Sequence, residues 1–248
     1  MQLNDLYGKV FDRIPVFGMI HLAGDNPVNR ALEEIEIFEE EGVDGAIIEN
    51  YHGLVEDVIQ TLQETSRIKS NVVIGVNILP NGFRKAFTLA HRYGARFIQV
   101  DYVAGRYTSG ELDFKAYSLC KERYPDIIVL GGVWPKYYNP VEGSDLEKDL
   151  LEGKGRVEAI VVTGAGTGKE TPLSKIKKFR DIIGSHPLVV GAGLTTDNAY
   201  EQLRISNGAI VGTHFKNGDT HNPIDREKIR RFMSVVREAR RYQENRLS

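Results

Sequence analysis

Short apolar segments recur eight times along this chain, and their regular spacing constrains its fold more than any other feature. They are PVFGMIHL (15–22), DGAIIEN (44–50), NVVIGVNI (71–78), ARFIQVDY (95–102), DIIVLGGVW (126–134), VEAIVVTG (157–164), PLVVGAG (187–193) and GAIVGTH (208–214). Each segment is apolar almost throughout instead of alternating between apolar and polar residues. That composition is typical of strands covered on both faces, as in a parallel sheet. The sequence therefore predicts eight buried parallel strands.

Amphipathic helical patterns separate the predicted strands. In residues 31–42 the apolar side chains fall largely on one side of the helix and the acidic ones on the other, and residues 173–184 repeat this arrangement. Glycines suited to end a helix follow such patterns at Gly42, Gly94 and Gly184. The helices are therefore expected to cover the outer face of the strands.

The number and size of these units favour one architecture. Eight strand–helix units of roughly 28 residues each match a (β/α)8 or TIM barrel, which is an α/β fold. A doubly wound open sheet would carry a glycine-rich nucleotide fingerprint after its first strand, but the sequence there reads HLAGDNPVN. We therefore predict a single (β/α)8 TIM barrel domain over residues 1–248, in which residues 1–13 cover the N-terminal mouth.

The composition limits the classes of partner and the cellular setting. The chain has 32 Lys and Arg against 34 Asp and Glu, which gives a net charge of −2. It therefore lacks the surplus of basic residues that is typical of nucleic-acid-binding proteins. The single cysteine, Cys120, cannot form an internal disulfide, which suits a reducing compartment. No apolar run reaches the roughly 18 residues of a membrane span, and the N-terminus lacks a signal peptide's apolar segment. We expect a cytoplasmic protein without a transmembrane segment, and a homo-oligomer is compatible with the sequence.

Polar residues lie at or just after the ends of most predicted strands. In a (β/α)8 barrel the functional site is built at the C-terminal strand ends and the loops that follow. Polar groups there cost free energy if they are buried without partners, so a repeated pattern of them favours a functional explanation. The candidates for catalysis are Glu49, Asp101, His21 and Lys136, and the candidates for substrate binding are Asn50, Asn77, Thr163 and Thr167.

The loops after the last two strands predict a phosphate site. Backbone N–H groups in this part of a (β/α)8 barrel often point at an anion. Gly191 and Gly193 would let the backbone approach the phosphate, and Gly212 with Thr213 would supply a second arm. Alternatively, these glycines only permit tight turns. Lys216, a few residues further on, would either neutralise the phosphate or be solvated.

Two glycine-rich stretches resemble nucleotide loops but fail their requirements. In TGAGTGKE, a Walker-type loop would need glycine where Thr163 stands and Ser or Thr where Glu170 stands. In GAGLTT, Thr196 occupies the place of the third glycine of a dinucleotide fingerprint. The sequence therefore predicts neither a nucleoside triphosphatase nor a Rossmann loop.

The candidate catalytic residues leave more than one chemistry open. Glu49 and Asp101 with His21 suit acid–base catalysis, and the same groups could hold a divalent metal. No short-spaced ligand pair such as HxH or HExxH occurs, so we assign no cofactor. Lys136, which the adjacent Tyr137 and Tyr138 would shield from water, could form a Schiff base if it were buried. It could equally hold a substrate carboxylate or phosphate as a cation.

Five motifs together resemble the BtpA/SgcQ family, which is named for a photosystem I biogenesis factor. They are GMIHL (18–22), GVDGAIIEN (42–50), GVNIL (75–79), VVTGAGTGKE (161–170) and IVGTHFKNGDTHNPID (210–225). The resemblance extends from the first of these motifs to the last helix and implies a (β/α)8 barrel. It also implies a shared pocket that includes His21, Glu49, Asn50, Asn77, Lys136, Thr163 and Gly212.

The chain departs from the family pattern at two places in this pocket. Where the family tends to read FIRVN, this chain reads FIQVD, so Gln99 and Asp101 replace an arginine and an asparagine. Tyr137 follows Lys136 where the family tends to have histidine. A changed charge and a lost histidine predict a divergent member with an altered substrate.

Two functions follow as expectations. The first is a barrel enzyme that binds a small phosphorylated ligand, a sugar phosphate or nucleotide-like compound, and acts as an isomerase, epimerase or lyase. The second is a non-catalytic assembly or regulatory factor that keeps the barrel, because the family name implies photosystem assembly for some relatives. The glycine-rich phosphate loops favour the enzyme, since an assembly factor would not need them.

Overall fold

The computed structural model describes residues 3–247, and their main feature is a closed barrel of eight parallel strands. The barrel strands are β1 Val16–Ile20, β2 Gly45–Glu49, β3 Val73–Asn77, β4 Phe97–Val100, β5 Ile128–Gly132, β6 Ala159–Thr163, β7 Leu188–Gly191 and β8 Gly208–Val211. They follow one another around the barrel in chain order, and β8 pairs with β1 to close it. The prediction of a (β/α)8 barrel is confirmed, and each predicted apolar segment contains one strand.

Helices connect the strands and cover the outside of the barrel. They are α1 Leu3–Val10, α2 Pro27–Glu41, α3 Val55–Thr65, α4 Phe83–Tyr93, α5 Phe114–Arg123, α6 Leu146–Lys154, α7 Leu173–Ile183, α8 Ala199–Leu203 and α9 Arg226–Leu247. A 3-10 turn at Thr213–Lys216 follows β8, and a short antiparallel pair joins Arg106–Tyr107 to Gly110–Glu111 after β4. Over the part of the chain that the structure describes, no helix combines the length and apolar character needed to cross a membrane.

Two separate apolar cores explain why the strands are apolar throughout. In β1, Phe17 and Met19 belong to the core inside the barrel, whereas Val16 and Ile20 belong to the core between the barrel and its helices. Successive side chains of a strand point to opposite faces, so both faces must be apolar when both are buried. The inward positions change from apolar to polar only near the C-terminal strand ends, where the barrel opens.

Helix α1 packs against the N-terminal end of the barrel interior. Its Leu6 and Tyr7, with Phe11 just after the helix, belong to the same apolar core as Phe17 and Phe97. The rings of Phe11 and Phe17 meet edge to face with their centroids 5.1 Å apart. The division into one domain with a cover segment stays a prediction, and residues 1 and 2 of that segment lie outside the described residues.

The predicted helix-ending glycines behave in two ways. Gly42 and Gly94 adopt the left-handed conformation that ends α2 and α4, with φ of 78° and 75°. Gly184 also has a positive φ of 64°, but its ψ of −126° lies outside the left-handed helical region. Glycine tolerates both conformations because it has no Cβ atom.

Candidate active site

A cavity of about 180 Å³ lies at the C-terminal ends of the barrel strands. Eleven of the twelve predicted site residues line it, namely His21, Glu49, Asn77, Asp101, Lys136, Thr163, Thr167, Gly191, Gly193, Gly212 and Thr213. The remaining one, Asn50, is absent from its wall. The parallel strands thus bring residues from distant parts of the sequence to one opening.

Glu49 and Asn77 lie side by side in the cavity wall. They pair in register at the ends of β2 and β3, and both side chains are buried. Nδ2 of Asn77 donates a hydrogen bond of 2.9 Å to Oε2 of Glu49. Nε2 of the buried His21, from the neighbouring end of β1, lies 3.8 Å from the other carboxylate oxygen. That distance is too long for a direct hydrogen bond.

Burial shifts the pKa values of Glu49 and His21 in opposite directions, and in both cases it favours the uncharged form. It raises the pKa of Glu49 from its ordinary 4.5 to about 7, and the charge of Asp101 adds to this effect while Lys136 and Asn77 oppose it. Burial also lowers the pKa of His21 well below its ordinary range, and the nearby positive charge of Lys216 acts in the same direction. At neutral pH, Glu49 can therefore both accept and donate a proton, and His21 is a neutral imidazole.

Asp101 is held by its neighbours more firmly than Glu49 is. Its Oδ2 accepts hydrogen bonds from the hydroxyl of Tyr138 at 2.7 Å and from the backbone N–H of Asn81 at 2.9 Å. The sequence predicted that Tyr138 shields Lys136 from water, but the Tyr138 hydroxyl group donates its hydrogen bond to Asp101. Asp101 therefore places its carboxyl group in the cavity wall and connects the loops after β3 and β5.

Lys136 lines the cavity, and its charge acts on Glu49 and His21. Its ammonium group donates to Oγ1 of Thr167 at 2.8 Å, and its backbone N–H donates to Oγ1 of Thr163 at 2.8 Å. The ring of Tyr137 has its centroid 5.6 Å from the ammonium nitrogen, but Tyr137 is itself exposed. Lys136 is therefore positioned as a hydrogen-bonding cation in the cavity wall.

Asn50 lies directly after β2, but its side chain has a different task from the one predicted. Its Oδ1 accepts from the N–H of Leu79 at 2.8 Å, and its Nδ2 donates to the carbonyl of the same residue at 3.2 Å. The amide thus fixes the loop after β3 and does not line the cavity. The substrate-binding role predicted for it gains no support from this position.

Unpaired backbone N–H groups line the other side of the cavity. They belong to Gly193, Leu194 and Thr213, for which no hydrogen-bond acceptor exists within residues 3–247. Backbone N–H groups left without acceptors at a cavity surface are suited to bind an anion. Gly193 and Thr213 are two of the four residues predicted to bind phosphate, and that role stays a prediction.

The glycines at this site also have packing roles. Gly193 has a φ of +68°, and a Cβ atom there would lie 2.3 Å from the backbone nitrogen of Glu170. A Cβ atom at Gly212 would lie 2.8 Å from the ring of His21. Tight turns alone therefore do not explain these glycines. Gly193 leaves room for the loop after β6, and Gly212 leaves room for the side chain of His21.

The two lysines near these N–H groups have different surroundings. Lys216 is buried away from the cavity in an ion pair of 2.5 Å with Glu34, so it is neither solvated nor available to phosphate. Lys228 of α9 instead lines a shallow pocket that shares Gly193 and Thr213 with the cavity. Its ammonium group has no ion-pair partner in the described part of the chain. Lys216 therefore meets neither of the two expectations from the sequence.

Gln99 is a cavity residue that the sequence marks only as a departure from the family pattern. It lies on β4, two positions after Phe97 of the barrel core and two before Asp101. Side chains two apart on a strand share a face, so counting back from Asp101 would have found it.

The described residues contain no group of three or more His, Cys, Asp or Glu arranged to hold a metal ion. Glu49 and Asp101 each bind protein donors instead, Asn77 in the first case and Tyr138 with Asn81 in the second.

Comparisons with solved structures agree with the barrel fold. Phosphoribosylanthranilate isomerase from Pyrococcus furiosus superposes with a TM-score of 0.62 at 15% identity, covering 91% of this chain and 99% of that one. Thiamine phosphate pyrophosphorylase from the same organism gives a TM-score of 0.63 at 15% identity, with coverages of 91% and 96%. At these identities the similarity shows the fold alone.

Sequence comparisons identify relatives over nearly the full length. A protein of Thermococcus kodakarensis is 28% identical over 93% of this chain and 98% of its own length. The photosystem I biogenesis protein BtpA of Synechocystis is 26% identical, with coverages of 94% and 92%. The family model of the BtpA family matches residues 15–238. The predicted family is confirmed, and this chain belongs to the BtpA family.

Proposed function

We propose that this chain is an enzyme that acts on a small phosphorylated metabolite, a sugar phosphate or a nucleotide-like compound, by general acid–base chemistry in the cytoplasm. The observation that carries the proposal is Glu49, a buried carboxyl group with a pKa of about 7. It faces a cavity whose other side presents the unpaired N–H groups of Gly193, Leu194 and Thr213. Perturbed groups of this kind concentrate at catalytic sites.

The arrangement favours isomerisation or epimerisation over carbon–carbon cleavage. The phosphate would bind the backbone N–H groups, with Lys228 adding positive charge, and the remainder of the substrate would extend toward Glu49. The carboxylate of Glu49 would remove a proton from the carbon next to the carbonyl group and return it to the carbonyl carbon, which isomerises the substrate. Epimerisation would need a second group that returns the proton on the opposite face. Neutral His21 and the ammonium group of Lys136 would stabilise the charge that develops on oxygen.

The names of structural neighbours support the substrate class. Phosphoribosylanthranilate isomerase and thiamine phosphate pyrophosphorylase are both named for phosphorylated compounds. The Synechocystis relative is named a photosystem I biogenesis protein, so a non-catalytic assembly factor is the second candidate. An assembly factor needs neither a proton-transferring carboxyl group nor unpaired N–H groups at a cavity.

Proton exchange with solvent tests this proposal even while the product is unidentified. The protein is incubated in D2O with a panel of sugar phosphates and the matching unphosphorylated sugars, and deuterium at the carbon next to the carbonyl is followed by NMR. We expect incorporation only into a phosphorylated member, and its loss in Glu49→Gln. Glu122→Gln, an exposed change on α5, is the matched control. Absence of both exchange and ligand-induced thermal stabilisation across the panel would favour the assembly factor.

A further inference from the structure

Gln99 lines the cavity, and its side-chain amide group makes no hydrogen bond to the described residues. Its Oε1 is buried from solvent. Buried polar atoms in folded proteins almost always have partners, because an unpaired one loses its hydration without compensation. A ligand in the cavity would supply the missing partner.

Asn77 lies beside Gln99, and its amide oxygen also lacks a hydrogen-bond donor. Val76 pairs with Ile98 across β3 and β4, so the next residues, Asn77 and Gln99, occupy equivalent levels of adjacent strands. Nδ2 of Asn77 donates to Glu49, but its Oδ1 is buried without a partner. Two neighbouring amide oxygens at the deep end of the cavity therefore lack a donor.

The charges around these amides oppose a carboxylate ligand. Glu49 and Asp101 contribute acidic side chains to this end of the cavity, while His21 is neutral because burial lowers its pKa. The ammonium group of Lys136 acts on Glu49 in the opposite sense, but it already donates to Thr167, and a carboxylate could not donate to the two amide oxygens. A hydroxyl group, in contrast, can donate to an amide oxygen and accept from an amide N–H.

We propose that Gln99 is a specificity-determining residue which, with Asn77, selects a substrate whose end remote from the phosphate is an uncharged polyhydroxyl group and not a carboxylate. This inference rests on the proposed function, because it assumes that the phosphate occupies the N–H groups of Gly193, Leu194 and Thr213. It adds to that function the chemical nature of the other end of the substrate.

Two matched pairs of ligands test the inference by calorimetry. They are ribose 5-phosphate against 5-phosphoribonate, and glucose 6-phosphate against 6-phosphogluconate, in which the carbonyl carbon is replaced by a carboxylate. We expect at least one sugar phosphate to bind about 10-fold more tightly than its acid. Gln99→Arg should reverse that preference by supplying a cation, and the same change at the exposed Gln63 of α3 should leave it unaltered.

Gln99→Leu keeps the size of the side chain and removes its hydrogen bonds, so it covers the case in which arginine does not fit. It should weaken sugar phosphate binding about 10-fold and leave binding of inorganic phosphate unchanged. Equal binding of sugar phosphate and acid, unaffected in both Gln99 variants, would overturn the inference while the phosphate site stands. If neither inorganic phosphate nor any organic phosphate binds the wild-type protein, the proposed function fails and the inference fails with it.

Discussion

The two halves of the barrel mouth are built differently. Strands β1–β4 end in side chains that carry chemistry, namely His21, Glu49, Asn77, Gln99 and Asp101. Strands β5–β8 end mostly in small residues, namely Gly132, Thr163, Gly191, Gly193, Gly212 and Thr213. The first half therefore offers titratable and amide groups, and the second half offers mainly backbone, with the ammonium group of Lys136 after β5 as its charged side chain.

This difference suits the two halves to separate tasks in the proposed function. A backbone N–H group has a fixed position and cannot titrate, so it suits a permanent anion anchor. A buried carboxyl group such as Glu49 changes protonation near neutral pH, so it suits proton transfer. The halves meet where Gly212 of the second admits the ring of His21 of the first. Substitutions should consequently separate turnover from anion binding.

The largest expected effect is on turnover in the first half. Glu49→Gln should lower turnover by roughly 10²–10⁴-fold, because it removes the proton-transferring group. Binding of inorganic phosphate should be unchanged, since the anchor lies in the other half. Steady-state kinetics on the substrate found by deuterium exchange, with calorimetry on phosphate, measures both quantities. A variant that keeps turnover and loses phosphate binding would reverse the assignment of the two halves.

A pair of glycine substitutions probes the second half. Gly193→Ala places a Cβ atom 2.3 Å from the backbone of Lys169 and Glu170 at a φ of +68°, and should lower the free energy of unfolding by about 2–5 kcal/mol. Gly191→Ala places its Cβ atom 3.5 Å from its nearest neighbour, so the loss should stay below about 1 kcal/mol. Urea denaturation compares the two. Similar losses would show that the loop after β6 does not pack on Gly193 as described.

The protonation of Glu49 should affect stability as well as activity. Because its pKa rises on folding from 4.5 to about 7, its favourable contribution is complete below pH 4.5 and is lost as the pH rises through 7. Glu49→Gln does not ionise, so it should gain about 3 kcal/mol relative to the wild type between pH 4.5 and pH 8. Thermal denaturation across this range measures the gain. A constant difference between the two proteins would mean that the Glu49 carboxyl group is not perturbed by burial.

The smallest expected effect is electrostatic. Lys228→Gln should weaken inorganic phosphate binding by roughly 3–10-fold at low salt, with a smaller effect at high salt because screening reduces the interaction. Lys85→Gln, an exposed change on α4, is the control. Equal affinities of the two variants would exclude Lys228 from the anion site.

The sequence predicted the fold because burial on both strand faces leaves a strong local pattern. It predicted most of the polar residues that line the cavity because strand ends in a barrel converge by topology alone. The sequence did not predict the side-chain contacts that depend on tertiary packing. Asn50 binds Leu79 because the loop after β3 passes beside it, and Lys216 pairs with Glu34 because α2 lies behind the turn after β8. Neither contact, separated by 29 and 182 residues along the chain, leaves a local signal.

The central claim, that a buried carboxyl group poised near neutral pH faces the cavity, can be measured directly. The protein is labelled with ¹³C at the glutamate side-chain carboxyl carbon, and the resonance missing from Glu49→Gln identifies Glu49. We predict that this resonance titrates with a midpoint at about pH 7. A midpoint near the ordinary 4.5 would leave Glu49 ionised throughout the neutral range and would contradict its proposed role in proton transfer.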